Sequence, residues 1–400
     1  MTKTACSIST DITLNINKDT IILSYNVLFN DGSKLNDSIV VKYPFCLLEP
    51  FNILIIKNYF EIFLSQLFLC NGALTLYCNS DEVLYYKSIC DSLYAIRNYE
   101  EESNIQFGKI LKEDLVCDKY NIKLEQKNVL NLISGGKDSL ASDFLLRAND
   151  INIFRCYIDG LNIASSISEF DACKNLYDNF DVISIYGFEN LIFSLEEISN
   201  CYCNPPTHNF IPRGRDLLTI SLAYPVAQHY KCGYISHSCE RDLWEGNIFV
   251  NGKSIPLHDS QSKLVMLPLN KQMKVSTDIH VFSPIAGMYE IYILKWIIMK
   301  YPDKFKLIQS CFYGSWCGEC SKCLRYYLVE KYCGVNLLKF KNNPELQIPN
   351  LVRKLVQDNY EYGFSKELKF LLGIKEDEED LFLPIRDSLF PEFLRKCNLK

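Results

Sequence analysis

The spacing of apolar residues divides the chain into two patterns that meet near residue 126. The first 126 residues alternate strand-like and helix-like apolar runs, separated by turns rich in Asn, Asp, Gly and Ser. The predicted elements are strands at 12–16, 20–29, 39–43 and 73–77, and helices at 51–69 and 82–97. They predict a small α+β domain over residues 1–126 that ends in polar linker segments at 98–104 and 112–127.

From residue 127 the chain alternates between short apolar runs and helical periods. Strands are predicted at 129–133, 153–158, 182–186 and 233–236, and helices after the first strand, at 168–180 and at 217–230. This alternation predicts an α/β domain over residues 127–335, with a parallel sheet and helices on both faces. Ligands of such sheets bind outside the carboxyl ends of the strands. Residues 336–400 predict a helical tail, with helices at 351–360 and 390–395 and an acidic run at 376–380.

Length and composition fit a globular protein of two or three domains, since 48% of the 400 residues are hydrophobic and 22% are charged. The formal net charge of −6 argues against nucleic-acid binding by the molecule as a whole and leaves a local basic groove open. The first ten residues hold no apolar stretch of the kind that a secretory signal needs. Charged residues such as Lys57 and Glu61 interrupt the apolar segment 51–70. We therefore expect a core helix there, no membrane span and a cytoplasmic protein.

The first candidate for chemistry is the turn Ser134-Gly135-Gly136-Lys137-Asp138-Ser139, which lies between a predicted strand and a predicted helix. Adjacent glycines let the backbone turn with positive φ and approach a ligand closely. The helix start offers free N–H groups and the two serines add hydroxyl donors, so the turn suits a pyrophosphate. Asp138 could hold Mg²⁺ or cap the helix. The spacing differs from a Walker A loop, and an ordinary glycine turn with a capping serine is the alternative.

A second anion contact is predicted at Arg213-Gly214-Arg215-Asp216, directly before the helix at 217–230. Arginine suits this role because its guanidinium bonds phosphate through two parallel N–H groups. A solvated basic turn is the alternative interpretation.

A metal site is predicted where four cysteines cluster near residue 320. Cys317, Cys320 and Cys323 are spaced three residues apart, and Cys311 lies six residues upstream of the first. Four thiolates complete a closed tetrahedral zinc site. An iron–sulfur cluster is the competing interpretation, and a chance cluster is the third, because the chain has 18 cysteines, most of which we expect to pack as small hydrophobes.

Together these segments resemble the PP-loop ATP pyrophosphatases, and within them the 7-cyano-7-deazaguanine synthases (QueC), over about residues 127–335. The resemblance is carried by the loop at 134–139, the segment 212–216, Ser283-Pro284-Ile285 and the cysteine cluster. It implies the PP-loop fold, with ATP, Mg²⁺ and Zn²⁺ as ligands. It also implies that a carboxylate of the 7-carboxy-7-deazaguanine type is adenylated with release of pyrophosphate. Ammonia then gives an amide, and a second activation gives the nitrile.

The resemblance also implies roles for individual residues. Asp138, Ser139 and Arg215 are expected to be catalytic, because they would hold the leaving pyrophosphate and offset the charge that builds on the phosphates. The expected nucleotide contacts are Ser134, Gly135, Gly136, Lys137, Asp138, Ser139, Gly160, Arg213, Gly214, Arg215 and Asp216. The zinc ligands are expected to be Cys311, Cys317, Cys320 and Cys323.

Some residues depart from the family's pattern. Asp216 stands where the family has Asn, Arg213 is an addition, and segment 157–162 lacks the family's histidine. The element that holds the deazaguanine is missing as such. In its region Asp242 and Asp259 could accept hydrogen bonds from a guanine-like edge, and Trp244 could stack on it. His237 is the best candidate for a general acid or base. Solvated loop acids and a packed tryptophan are the alternative.

Residues 1–126 and 336–400 lie outside the part of the chain that resembles the family. Added domains of this kind are seen in QueC-like proteins of bacterial antiviral defence. This suggests that the activated carboxylate is delivered to an amine of a protein or nucleic-acid partner, recognised by the N-terminal domain, and a homodimer is a further option. A tRNA-modifying PP-loop enzyme, such as a thiolase, and a nucleotide-sensing scaffold without turnover remain as alternatives.

Overall fold

A computed structural model of the chain describes residues 5–15, 17–47, 53–68, 70, 74–101, 110–113, 123–161, 166–197, 214–250, 253–311, 313–356, 364–374 and 381. The strands are β1 (Ala5–Leu14), β2 (Thr20–Phe29), β3 (Lys34–Lys42), β4 (Leu74–Tyr77), β5 (Ile110–Glu113), β6 (Glu125–Ile133), β7 (Asn152–Asp159), β8 (Asp181–Tyr186), β9 (Cys232–Ser236), β10 (Asn247–Val250), β11 (Lys253–Pro256) and β12 (His280–Phe282).

The helices surround these strands. They are α1 (Ile53–Leu67), α2 (Ser80–Glu101), α3 (Lys137–Ala148), α4 (Ser166–Leu176), α5 (Phe188–Glu197), α6 (Arg215–His229), α7 (Arg241–Glu245), α8 (Lys263–Thr277), α9 (Glu290–Lys300), α10 (Pro302–Phe305), α11 (Ser321–Cys333), α12 (Ile348–Val356) and α13 (Ser365–Leu371), with a 3-10 helix at Pro344–Gln347. The prediction of a mixed α/β chain is confirmed.

The main sheet of the described residues has the order β1-β2-β3-β8-β7-β6-β9-β12. The last five strands in this order run parallel to one another. Because β7 and β8 lie on one side of β6 while β9 and β12 lie on the other, the strand order reverses between β6 and β9. In open parallel sheets, the crevice at the carboxyl ends beside such a reversal is where ligands bind.

The N-terminal strands continue this sheet. β1, β2 and β3 form an antiparallel meander, and β3 pairs antiparallel with β8 through the register Val40↔Tyr186 to Lys42↔Ser184. One hydrophobic core includes residues of the meander, of α1 and of the parallel strands, such as Ile21, Phe60 and Ile235. The domain boundary at residue 126 stays a prediction, but the strands before it share a sheet and a core with those after it.

Within the apolar segment 51–70, residues Ile53–Leu67 form the predicted core helix. In α1 even the polar side chains are buried, and Glu61 accepts hydrogen bonds from the Thr10 hydroxyl at 2.8 Å and from the Thr75 N–H at 2.7 Å. Burial raises the pKa of Glu61, which the nearby Lys57 ammonium partly offsets. No helix among the described residues has the length and apolar character that a bilayer crossing requires.

The predicted linkers are partly wrong. α2 extends to Glu101, inside the linker predicted at 98–104. The linker predicted at 112–127 includes the last two residues of β5, which pairs parallel with β4, and the start of β6 at Glu125. Within the tail, α12 corresponds to the helix predicted at 351–360. The acidic run at 376–380 and the helix predicted at 390–395 lie outside the described residues.

Candidate functional site

A cavity of about 520 Å³ opens at the carboxyl ends of β6, β7 and β9, beside the reversal of strand order. Its volume is typical of a site for a small molecule or cofactor. The polar side chains that line it are Ser134, Lys137, Asp138, Ser139, Glu169, Arg215, Asp216, Thr219, His237, Ser238, Glu240, His258, Gln261, Glu290, Ser310, Lys322, Arg325 and Tyr326. Most of the predicted nucleotide contacts therefore lie around one space.

The loop between β6 and α3 needs glycine at its first glycine position. Gly135 has φ +71°, and a Cβ there would lie 2.8 Å from the Ala172 Cβ and from the Glu169 carbonyl oxygen. Its own carbonyl accepts a hydrogen bond from the Gln309 N–H at 2.9 Å. Gly136 is the N-cap of α3 with extended backbone. The loop is thereby held against two other segments, with the start of α3 facing the cavity.

Ser139 ties the loop together from within. Its hydroxyl oxygen accepts from the Ser134 N–H and donates to the Gly136 carbonyl, both at 3.3 Å, and it lies 3.5 Å from the Tyr177 hydroxyl. The backbone carbonyl of Ser139 accepts from the Asn131 side-chain amide. Ser139 therefore fixes the shape of the turn as well as lining the cavity.

Lys137 is buried among three carboxylates. Its ammonium donates to both oxygens of Asp138, at 2.7 and 2.8 Å, and to Glu240 at 2.8 Å, and it lies 3.3 Å from Glu290. Burial lowers the pKa of Lys137, but the three carboxylates outweigh it and raise the pKa well above its ordinary value. The ammonium thus stays charged, and its charge neutralises protein carboxylates.

Arg325 completes this buried network from α11. Its guanidinium donates to Glu290 and lies 4.0 Å from the centre of the Phe364 ring. Burial raises the pKa of Glu290, but Arg325 and Lys137 outweigh it and lower the pKa. Burial raises the pKa of Glu240 despite the Lys137 charge. Sequence analysis missed Glu240, Glu290 and Arg325, because none of the three stands in a segment whose pattern indicates a buried charge.

The second predicted anion contact borders the same cavity. Gly214, with φ +71°, is the N-cap of α6, and its N–H donates to Asp259 at 3.2 Å. Arg215 lines the cavity and, among the described residues, has no carboxylate partner within ion-pair distance. Arg213 lies outside the described residues. Gly160 has φ +93°, and a Cβ there would lie 2.3 Å from the Ile185 carbonyl oxygen, so packing against β8 explains this glycine.

Asp216 and His237 form a buried acid–imidazole pair on the cavity wall. The Nε2 of His237 lies 3.1 Å from Oδ1 of Asp216, at an angle outside that of a hydrogen bond. Asp216 also accepts from the Ser260 hydroxyl at 2.7 Å and from the Gln261 amide at 3.0 Å. Burial alone would raise the pKa of Asp216, but the contact with His237 and the charges of His258 and Arg215 hold it well below its ordinary value. Asp216 therefore stays ionised.

The other three predicted substrate residues, Asp242, Trp244 and Asp259, lie in different surroundings. Asp259 is buried and accepts from the backbone N–H groups of Gly214 and Ser260, so it braces the two loops. Asp242 is buried against the tail helix α13, where burial raises its pKa to about 7. Trp244 is half-buried and packs against the main core. None of these three residues lines the cavity.

The four predicted metal ligands converge at the start of α11. The sulfur atoms of Cys311, Cys317, Cys320 and Cys323 lie within 4.8 Å of one another, and two of the pairs are 3.8 Å apart. Four sulfurs at about 2.3 Å from a tetrahedral zinc ion are about 3.8 Å apart. The group is therefore positioned to bind a single ion such as zinc, and the spacing is too small for a cluster of several irons.

The backbone shapes this site before any ion arrives. The N–H groups of Glu319 and Cys320 point at the Cys317 sulfur from 3.3 and 3.4 Å, and the N–H of Cys323 points at the Cys320 sulfur. Gly318 has φ +79°, and a Cβ there would lie 1.9 Å from the Asn342 carbonyl oxygen. Because Cys311 also lines the cavity, the metal site forms part of its wall.

No protein-family model matches the chain, and no curated protein matches it. The case for function therefore rests on the site itself and on the motifs that resemble the PP-loop enzymes.

Proposed function

We propose that the protein is an ATP-dependent carbon–nitrogen ligase of the PP-loop type that adenylates a deazaguanine carboxylate. The observation that carries this proposal is the convergence of the loop at 134–139 and Arg215 on one cavity at the reversal of strand order. That placement brings the N–H groups of a helix start, hydroxyls and an arginine that has no carboxylate partner among the described residues to the same space, which suits a polyphosphate.

The proposed reaction has two stages. A carboxylate oxygen of the acid attacks the α-phosphorus of ATP, and pyrophosphate leaves with its bonding electrons. Ammonia or an amine then attacks the acyl carbon, and AMP leaves as the amide forms. The N–H groups at the start of α3, Ser134 and Arg215 would hold the negative oxygens, so that positioning and charge stabilisation account for most of the rate.

Two metal ions belong to this proposal. Asp138 is the carboxylate of the loop that would hold Mg²⁺, which supplies charge neutralisation to the phosphates. The Asp138 side chain is 30% exposed and pairs with the Lys137 ammonium. Lys137 also forms an ion pair with Glu240. Zn²⁺ would be held by the four cysteines and would have a structural role, since protein sulfurs fill all four positions of a tetrahedron.

The acceptor of the activated acid is the second half of the proposal. We propose a 7-carboxy-7-deazaguanine-type acid, with either ammonia or an amine of a protein or nucleic-acid partner as acceptor, in bacterial antiviral defence. Its support is the set of motifs that resemble the QueC family, together with the extra segments at 1–126 and 336–400. In this proposal the protein acts in the cytoplasm, as a monomer or as a homodimer.

Pyrophosphate release tests the first stage. With ATP, Mg²⁺ and 7-carboxy-7-deazaguanine, the protein should release pyrophosphate, and Asp138→Ala or Ser139→Ala should lower the rate at least 100-fold. Ser142→Ala is the matched control, because Ser142 is equally buried in α3 but its hydroxyl bonds Ser238 outside the loop. ATP binding without release would instead favour the nucleotide-sensing alternative, and release stimulated only by tRNA would favour the tRNA-modifying one.

A further inference from the structure

Asp216 and His237 form a buried pair in the cavity wall, and an anion beside an imidazole is chemistry that phosphate binding does not explain. His237 is 8% exposed and its backbone N–H donates to the Phe282 carbonyl, so the residue is fixed at the end of β9. Its Nε2 is fully buried beside Asp216. Its Nδ1 has no protein partner among the described residues, and the side chain lines the cavity. Nε2 therefore lies against the Asp216 carboxylate, and the side chain also borders the cavity.

The register of the sheet places this imidazole beside the phosphate loop. Ser236 in β9 is paired with Asn131 in β6, so His237 lies next to Leu132, two residues before the loop begins at Ser134. Neighbouring strands are about 4.8 Å apart and two residues span about 6.6 Å along a strand. The imidazole thus lies on the loop side of the cavity, where the activated acid must be formed.

Asp216 is kept ionised by its surroundings, and it accepts two further hydrogen bonds from Ser260 and Gln261. A buried carboxylate beside Nε2 favours the neutral tautomer that carries its proton on Nε2. Nδ1 then presents a lone pair to the cavity. Among the described residues, the titratable groups beside the pair include His258, Asp259, Arg215 and the buried thiol of Cys239.

We propose that His237 is the general base of the second stage of the reaction, and that Asp216 is the residue that positions it. This inference rests on the proposed function and adds a catalytic residue to it. As the amine nitrogen bonds to the acyl carbon, the bond from that carbon to the phosphate oxygen breaks and AMP leaves with the electron pair. The proton lost by the nitrogen moves to Nδ1 of His237 and then to solvent.

This arrangement explains why position 216 is an aspartate. The resembling family has Asn at the corresponding position, and an amide carries no charge to stabilise an imidazolium. A charged carboxylate beside Nε2 both selects the tautomer and stabilises the protonated ring. The departure from the family's pattern is therefore what a base at His237 requires.

Separate measurement of the two stages tests the inference. Adenylation is followed as exchange of labelled pyrophosphate into ATP with 7-carboxy-7-deazaguanine, and the second stage as amide formed with ammonium. His237→Gln should slow amide formation about 10²- to 10⁴-fold and leave exchange within twofold. Asp216→Asn should show a smaller loss in the same stage. His280→Gln is the control, because His280 stacks on Tyr234 in the edge strand β12, outside the cavity lining.

A rescue experiment distinguishes a base from a merely structural residue. Free imidazole should restore amide formation to His237→Gly in a saturable manner, and it should leave the wild-type protein unchanged. In the wild-type protein, nitrogen NMR of labelled histidine should show His237 with its proton on Nε2, assigned by its loss in His237→Gln.

The outcomes separate the two proposals. Two results in His237→Gln would show that His237 is not the base: normal exchange with unchanged amide formation, or an equal loss of both stages. Neither result would contradict the proposal that the wild-type protein adenylates its acid. A His237 signal with its proton on Nδ1 would also overturn the inference. Absence of exchange in the wild-type protein would refute the proposed function and this inference together.

Discussion

Replacing Asp242 by Asn should make the protein more stable at neutral pH. Asp242 is buried against α13, and its Oδ2 and the Oε2 of Glu367 are both buried atoms without a hydrogen-bond partner. The other oxygen of Glu367 accepts from the Ile291 N–H at 2.6 Å. Two carboxylates cannot donate to each other, so the pair is satisfied only when one of them holds a proton. An amide at position 242 would donate permanently.

The magnitude follows from the pKa of Asp242. Burial, with the charges of Glu240 and Glu290, raises this pKa from 3.8 to about 7, although Glu367 and Arg325 act in the opposite direction. Since one pH unit of pKa change corresponds to about 1.4 kcal/mol, the rise corresponds to about 4 kcal/mol. Burial and Asp242 raise the pKa of Glu367 as well, in the same direction.

The sign of the pH dependence is opposite to that of a salt-bridged aspartate. Below pH 3.8 the folded and unfolded chains both hold the proton, and the contribution of Asp242 to stability is complete. As the pH rises, the unfolded chain loses the proton first and is stabilised, while the folded chain keeps its proton until about pH 7. Stability from this group is therefore lost across that interval and is constant above it.

Urea unfolding at two pH values checks the expectation. Relative to the wild-type protein, Asp242→Asn should gain about 4 kcal/mol at pH 8 and only about 1 kcal/mol at pH 4.5, with similar denaturant slopes. Asp303→Asn is the control, since the Asp303 side chain is 92% exposed, and it should show no change with pH. A difference between Asp242→Asn and the wild-type protein that is equal at both pH values would refute the reasoning.

Two further predictions concern the metal site and the buried charges. Gly318→Ala should lose bound zinc and stability, because its Cβ would lie 1.9 Å from the Asn342 oxygen. Gly334→Ala is the control: at φ +69° with nothing within 4 Å, it should lower the free energy of unfolding by about 1 kcal/mol and keep one zinc per chain by elemental analysis. Equal zinc content in the two variants would contradict this. Lys137→Met should lower the free energy of unfolding by about 3–5 kcal/mol, because it leaves buried carboxylates unpaired, whereas Lys306→Met, which removes an exposed pair with Asp303, should change it by less than about 1 kcal/mol. Equal effects of the two lysine variants in denaturant unfolding would refute the network.

Apolar periodicity was sufficient for the central elements. The strand predicted at 20–29 is β2, in which buried residues alternate with more exposed ones, and those predicted at 153–158 and 182–186 are apolar runs within β7 and β8. The segment 110–113 was missed because its four residues, two apolar and two charged, are too few to show the alternation of a strand. Its pairing with β4 is a tertiary event, which local sequence does not encode.

The candidate site was predictable only where its residues are neighbours in sequence. The cysteine cluster and the loop at 134–139 have fixed local spacing, and the structure brings each set together. Glu290 and Arg325 lie on separate helices, and only the packing of α9 against α11 and α3 brings their side chains to Lys137. A charge that is neutralised by distant partners leaves no signal in the spacing along the chain.

The metal site and the phosphate loop are linked through a single wall of the cavity. Ser310, which precedes the first cysteine, bonds the Tyr326 hydroxyl at 2.8 Å, and its own hydroxyl lies 3.4 Å from the position of a Cβ on Gly136. Tyr326 belongs to α11, whose N-cap is Cys320. An ion that fixes the four sulfurs therefore also fixes the surface against which the loop packs. In the proposed function the loop N–H groups act only when they are preorganised, so a bound metal would contribute to phosphate binding through geometry alone, without touching the ligand.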